Sequence, residues 1–206
     1  MYENIKELEQ YLRVNEGFFC ALQKEDDWTC IIKLFSLLEA STSSMIAENL
    51  LHPELIDAFS FIQMGTKTNG KLAFIKTLKL LPDRYITFIE TLGWLRNKYA
   101  HNISTSKGTI KSFLNTISSK RRKECERNLH LTKSVKINGK EFSGEDFFND
   151  NPRALIFFSC QVVLEHIRQM TILGQQLRKI KKESVDIYLK DYGSIKININ
   201  DFNLEE

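Results

Sequence analysis

The sequence predicts an all-α fold: an antiparallel helical bundle with small β-hairpin decorations near 135–142 and 185–200. Three observations lead there. Apolar residues recur at helical spacing through several long segments, each of the three prolines opens such a segment, and only two short stretches alternate apolar with polar residues. At 206 residues, 42% hydrophobic and 27% charged, the chain has the composition of one soluble domain with a sizeable core. Its helical core is expected over about 3–128 and 152–182, with a hairpin insertion at about 129–151 and a terminal hairpin at about 184–202.

A first helix is expected over 3–24, from Ile5, Leu8, Leu12, Phe18, Phe19 and Leu22, with Gly17 as its weak point. Asp26 or Asp27 caps a second helix at 28–51, whose face carries Ile31, Leu34, Phe35, Leu38, Met45 and Ile46. Glu39 falls on its flank, either as a solvated rim carboxylate or as a partner for a partly buried cation. His52-Pro53 begins a short segment that ends near Gly65, and Thr66–Gly70 has turn chemistry. Lys71–Leu81 is a short amphipathic helix stopped by Pro82. From Asp83 the stripe Tyr85, Phe88, Ile89, Leu92, Leu95 and Tyr99 marks the next helix, which releases into a loop at 102–108.

Thr109–Asn128 fits a further helix running into Lys120-Arg121-Arg122-Lys123, read either as a solvated face or as a contact for RNA phosphates or an acidic partner. Asn138-Gly139 suits a two-residue hairpin turn. Pro152 opens a long apolar helix to about Lys181, in which His166 reads as a core or rim histidine. Val185–Leu189 and Ile195–Ile199 then alternate about Asp191–Ser194, as a hairpin would.

Several function classes lose support at this level. A net charge of +3 does not by itself announce a nucleic-acid binder. Cys20, Cys30, Cys125 and Cys160 are scattered and read as reduced, packed thiols, and with the histidines they make no metal-ligand spacing. No metal and no cofactor is therefore expected. The N-terminal MYENIKELEQYL lacks the apolar core of a signal peptide, and the apolar runs are short for a membrane span, so a cytoplasmic protein without a membrane partner is expected.

The candidate site lies in Thr91–Asn102. Arg96 projects at the edge of the apolar stripe, while Asn97 and His101, four apart, share the neighbouring face with Gly93. Two readings fit. In one, Arg96 lays its stem over apolar neighbours and His101 answers the helix dipole. In the other, a permanent bidentate cation, an amide and a titratable imidazole converge on a phosphate.

Arg96-Asn97-x-x-x-His101 at the end of an amphipathic helix resembles the signature of the HEPN superfamily. Leu37-Leu38-Glu39-Ala40-Ser41 and Gly70-Lys71-Leu72-Ala73-Phe74-Ile75-Lys76 are similar to the mannitol-repressor-like branch, and the resemblance spans about residues 28–102. It implies a two-fold dimer that brings two Arg/His pairs to one cleft, with Gly93 permitting close approach of a partner helix. It also implies a metal-independent endoribonuclease in which the ribose 2′-OH attacks the adjacent phosphate. His101 would be the general base or acid, Arg96 would stabilise developing charge, Asn97 would orient the phosphate or imidazole, and Glu39 would hold the guanidinium. Lys98, Lys120, Arg121, Arg122 and Lys123 are the candidate RNA contacts. The expected setting is a toxin or antiphage stress effector with an antitoxin or activating partner. A non-catalytic regulatory or protein-interaction module is the alternative, and binding of a small phosphorylated ligand without turnover is a third.

Overall fold

The computed structural model describes the backbone at residues 2–101, 108–137 and 139–192, and side chains at 5–100, 108–136 and 139–186. Its centre is α3 (Asp27–Asn49). Asp26 caps that helix, its carboxylate accepting from the Thr29 backbone nitrogen at 2.9 Å and the Thr29 hydroxyl at 2.7 Å, which holds the carboxyl below its ordinary pKa. Cys30, Ile31, Leu34, Phe35, Leu38, Met45 and Ile46 are buried, and so are Ser41, Thr42 and Ser43. Those three hydroxyls donate to the carbonyls of Leu37, Leu38 and Glu39, so their burial leaves no donor unmet. By length and hydropathy α3 could cross a membrane, but 61% of its most apolar window is buried inside the fold, which accounts for its composition as a core helix.

Before α3 the chain forms α1 (Tyr2–Tyr11) and α2 (Phe18–Leu22) rather than one helix. Arg13 and Gly17 take positive φ of 55° and 82°, and the buried Glu9 carboxylate caps the restart by accepting from the Gly17 and Phe19 nitrogens. After α3 come a 3-10 turn at Pro53–Leu55, then α4 (Ile56–Ser60), α5 (Gly70–Thr77) and α6 (Asp83–His101). Trp28 donates its indole N–H to the Tyr99 carbonyl at 3.1 Å, and Phe35 lies beneath Arg96, so α6 runs antiparallel to α3.

The next segment turns the chain around twice. The expected helix at 109–128 is two, α7 (Ile110–Leu114) and α8 (Ser119–Asn128), separated where Ser118 caps the second. Arg121 of α8 meets Trp94 and Asn128 meets Thr91, so α8 returns along α6. β1 (Ser134–Ile137) and β2 (Lys140–Ser143) form the expected antiparallel hairpin, pairing Val135 with Phe142; Asn138 of its turn lies outside the described residues. Then α9 (Gly144–Asp150) brings the chain back, burying Phe148 against the His130 ring. β2 is exposed throughout, as a decorating hairpin is, while Leu129, His130 and Phe148 on either side of the hairpin are buried in the body.

That reversal fixes the direction of α10 (Pro152–Tyr192). Arg153 pairs with Asp27 at 3.0 Å, the Cys160 thiol faces the Leu34 carbonyl, Asn49 donates to the Met170 carbonyl at 2.9 Å, and Arg178 meets the buried Glu48 at 3.2 Å. The sequence separation stays nearly constant along these contacts, so α10 runs parallel to α3, while α6 runs antiparallel to it. Helix also replaces the first strand of the expected terminal hairpin. No breaker falls between Gly174 and Gly193, Ser184 bonds the Ile180 carbonyl, and Lys179 stands 3.9 Å from Glu183, so helical continuity prevails over the Val185–Leu189 alternation. The second strand, Ile195–Ile199, lies outside the described residues.

At Gly174 the backbones of α10 and α3 come close: a Cβ there would meet the Glu48 carbonyl carbon at 2.8 Å and its oxygen at 2.9 Å. Backbone cannot yield as a side-chain tip can. Gly174→Ala should therefore lower the unfolding free energy by about 1–3 kcal/mol in urea denaturation, the range for overpacked cores. An unchanged or higher midpoint would show that the two helices are not held at this distance.

Candidate functional site

One face of α6 opens on a cleft of about 940 Å³, near the upper end of the ~300–1,000 Å³ range of ligand pockets. Glu90, Gly93, Trp94, Arg96 and Asn97 line it from α6, Phe35 and Glu39 from α3, and Arg121, Glu124 and Asn128 from α8. The turn Gln63–Thr66 and Asn69 close the remaining side. That turn depends on Gly65 and Gly70, at φ of 73° and 67°, where any Cβ would strike neighbouring backbone.

Arg96 is half-buried and fixed from two directions. Its Nη1 donates to the Asn97 Oδ1 at 3.1 Å, and its guanidinium carbon stands 5.7 Å from the centroid of the Phe35 ring. Its buried Nε has no hydrogen-bond partner among the described residues. The expected proximity of Arg96 and Asn97 is therefore present, with the amide oriented by the cation. His101 is the last residue of α6, one turn beyond Asn97, and its side chain lies outside the described residues.

Glu39 does line the cleft, but it forms no ion pair with Arg96. The charge its carboxylate bears on is Lys71, which is almost wholly buried and donates from Nζ to the Glu39 carbonyl oxygen at 2.8 Å. Burial pushes the Lys71 amine down, and the Glu39 carboxylate partly restores it. Arg96 has its amide and its ring instead, and needs no carboxylate to stay in place. Gly93 has an internal reason to lack a side chain: a Cβ there would sit 3.1 Å from the Phe35 ring. This intramolecular contact explains the glycine without a partner helix.

The basic run at 120–123 divides. Arg121 turns into the cleft, with its guanidinium 4.1 Å from the centroid of the Trp94 ring and Nη1 bonded to Glu124. Arg122 is engaged on the other side with Glu126 at 2.9 Å, Asn115 at 2.7 Å and Asn149 at 3.3 Å. Lys120 and Lys123 are exposed, as is Lys98. Only part of the run is thus a solvated face. Sequence reading did not find the Trp94–Arg121 stack or Glu90 as cleft residues. Trp94 and Glu90 follow the Gly93–Asn97 face by helical spacing, but Arg121 joins them only through the direction of α8.

The cysteines and the other described histidines lie outside the cleft lining. Cys30, Cys125 and Cys160 are buried free thiols, and burial raises the first two to about 11; Cys20 is exposed. His166 packs edge-on against Tyr85 at 5.3 Å, as a rim histidine. His130 bonds the Thr132 carbonyl oxygen at 2.9 Å, and His52 meets Glu54. Among the described residues no group of three His, Cys, Asp or Glu side chains is placed to hold a metal ion. A second cavity, of about 600 Å³, lies where α10 and α3 begin, and its charged groups are paired, Arg153 with Asp27 and Lys111 with Asp150.

Lys71 gives the wall of the cleft a pH signature. Between its lowered pKa and the ordinary 10.5, the folded state binds fewer protons than the unfolded state, so this residue makes stability rise with pH across that window. Denaturation of wild type and Lys71→Met should give a stability difference that shifts in favour of wild type as pH approaches 10.5 from below. A difference that stays flat with pH would mean the amine is not desolvated.

No family model matches the chain, and neither a curated protein nor a solved structure matches it.

Proposed function

We propose that the protein is a metal-independent endoribonuclease that works at the C-terminal end of α6. The observation that carries this reading is the placement of Arg96, held in the wall of a nucleotide-sized cleft by Asn97 and Phe35, about 1.4 helical turns short of position 101. A guanidinium with its rotamer fixed in advance loses little entropy when it meets a phosphate.

In this mechanism the ribose 2′-OH attacks its own 3′-phosphate, a new P–O2′ bond forms, and the P–O5′ bond breaks. The products are a 2′,3′-cyclic phosphate and a 5′-OH. His101 takes the 2′-OH proton or supplies one to the departing O5′, Arg96 stabilises charge on the non-bridging oxygens, and Asn97 orients the group between them. Exposed Lys98, Lys120 and Lys123 guide the RNA backbone toward the cleft. Two copies related by a two-fold axis would bring two such helix ends to one substrate, and an antitoxin or activating partner would hold the site in check or release it.

Incubating purified protein with RNA in EDTA should give products ending in 2′,3′-cyclic phosphate. Arg96→Ala and His101→Ala should each reduce the rate by about 10²–10⁴-fold, the scale of losing a charge-stabilising or proton-transfer group. Cleavage that persists in both variants, or folded wild type that leaves varied RNAs intact alone and with partner proteins, would exclude the mechanism. The second outcome would favour a non-catalytic regulatory module.

A further inference from the structure

The charges in the cleft are not those of a general polyanion site. Three carboxylates, Glu39, Glu90 and Glu124, face two guanidiniums, Arg96 and Arg121. Glu124 already holds Arg121, and the Glu39 carboxylate acts on buried Lys71. What remains is one guanidinium, Arg96, whose side chain meets only an amide and a ring, and one carboxylate, Glu90, which makes no hydrogen bond or ion pair among the described residues. Both stand on α6, six residues and thus about 9 Å apart along the axis. Trp94, one turn after Glu90 and on the flank of α6 away from Arg96, lines the same cleft, with Arg121 over its ring at 4.1 Å.

A ligand complementary to this cleft has an anion at one end and, at the other, a flat ring whose edge carries a pair of hydrogen-bond donors. We infer that the cleft is a guanine-recognition site, in which Glu90 accepts from the N1–H and the exocyclic amino group of guanine, the Trp94–Arg121 stack supports the base, and Arg96 holds the 3′-phosphate. Guanine is the only RNA base that offers two adjacent donors matched to the two oxygens of a carboxylate; adenine and cytosine offer an amino group beside an acceptor, and uracil offers one N–H between two carbonyls. A planar cation already resting on an indole is a stacking surface whose ordering cost is met before the base arrives. The free carboxylate also works against other occupants, because a second phosphate placed near Glu90 would meet like charge. This inference rests on the ribonuclease reading for the direction of the substrate: phosphate toward Arg96 and position 101, base toward Glu90.

Binding of mononucleotides tests it without cleavage. Wild-type protein is titrated by calorimetry with guanosine, adenosine, cytidine and uridine 3′-monophosphates, none of which carries the leaving group of the reaction. The guanosine compound should bind about tenfold or more tightly than the others, in line with one bidentate base contact. Glu90→Gln, a nearly isosteric change at a partly exposed position, should bring it to the level of the other three. Arg96→Ala should weaken all four alike. Equal affinity for the four nucleotides, binding of none, or a guanine preference that survives Glu90→Gln would overturn the inference. RNA cleavage with no guanine bias in the cut sites would also overturn it while leaving the ribonuclease reading intact. A guanine preference lost in Glu90→Gln, in a protein that cleaves no RNA, would sustain the base site and remove the nuclease.

Discussion

A helix that is apolar around most of its circumference must be covered around most of it, and α3 imposes that requirement on the rest of the chain. α6 covers one side, α10 another, and the short α4 packs near its C-terminal end. The coverage also sets direction. α10 is tied to α3 at both ends, by Arg153 on Asp27 and by Arg178 on the buried Glu48, while Gly174 lets the backbones approach between them. Of the four groups Glu48 is the most buried, so removing Arg178 would leave a buried carboxylate without its cation, a greater loss than a surface pair would cause.

The helices were readable wherever one amphipathic face carried the signal. Asp27–Asn49 and Asp83–His101 fall within a few residues of their expected bounds because their apolar spacing and flanking Asp and Pro residues act locally. What the sequence concealed was decided by partners distant in the chain. Arg13 and Gly17 divide the first helix because Glu9 is placed to cap a restart. The 129–151 segment keeps β2 exposed, while Phe148 against His130 and the return of α9 to the Asp27 end tie its flanks to the body. Direction is a global property, so the parallel α3–α10 pair had no local signature. The alternation at 185–189 was a real pattern, but a period of two over five residues is weak against an uninterrupted helix that already extends more than thirty residues.

The candidate site divides along the same line. Arg96 and Asn97, neighbours on one helix, meet as helical geometry requires. Glu39 lines the cleft, but its charge bears on Lys71, whose buried amine bonds the Glu39 carbonyl, while the Arg96 Nη1 bonds Asn97 and its Nε stays without a partner among the described residues. Arg121 shows the converse. Within a run of four basic residues nothing distinguishes it from Arg122, yet the rotation of α8 sends one guanidinium onto Trp94 and the other to Glu126.

Two features of the cleft oppose each other. A phosphate gains from Arg96, whose side chain loses little further freedom on binding, but each carboxylate nearby reduces that gain. If Glu39, Glu90 and Glu124 were all free they would outweigh the two arginines, and an anionic substrate would be repelled. Two of the three are accounted for, Glu124 by a direct bond to Arg121 and Glu39 by the buried charge behind it. The remaining charge sits about 9 Å along α6 from Arg96, close to the Debye length of about 8–10 Å at ordinary ionic strength, so its effect on a phosphate at Arg96 is weaker than its effect on a group in contact. An isolated carboxylate in this position therefore costs the phosphate less than it would in contact, and favours whatever donor pair reaches it. Under the proposed ribonuclease reading, selectivity for one base is the use that fits a guanidinium and a stacking surface lining one cleft.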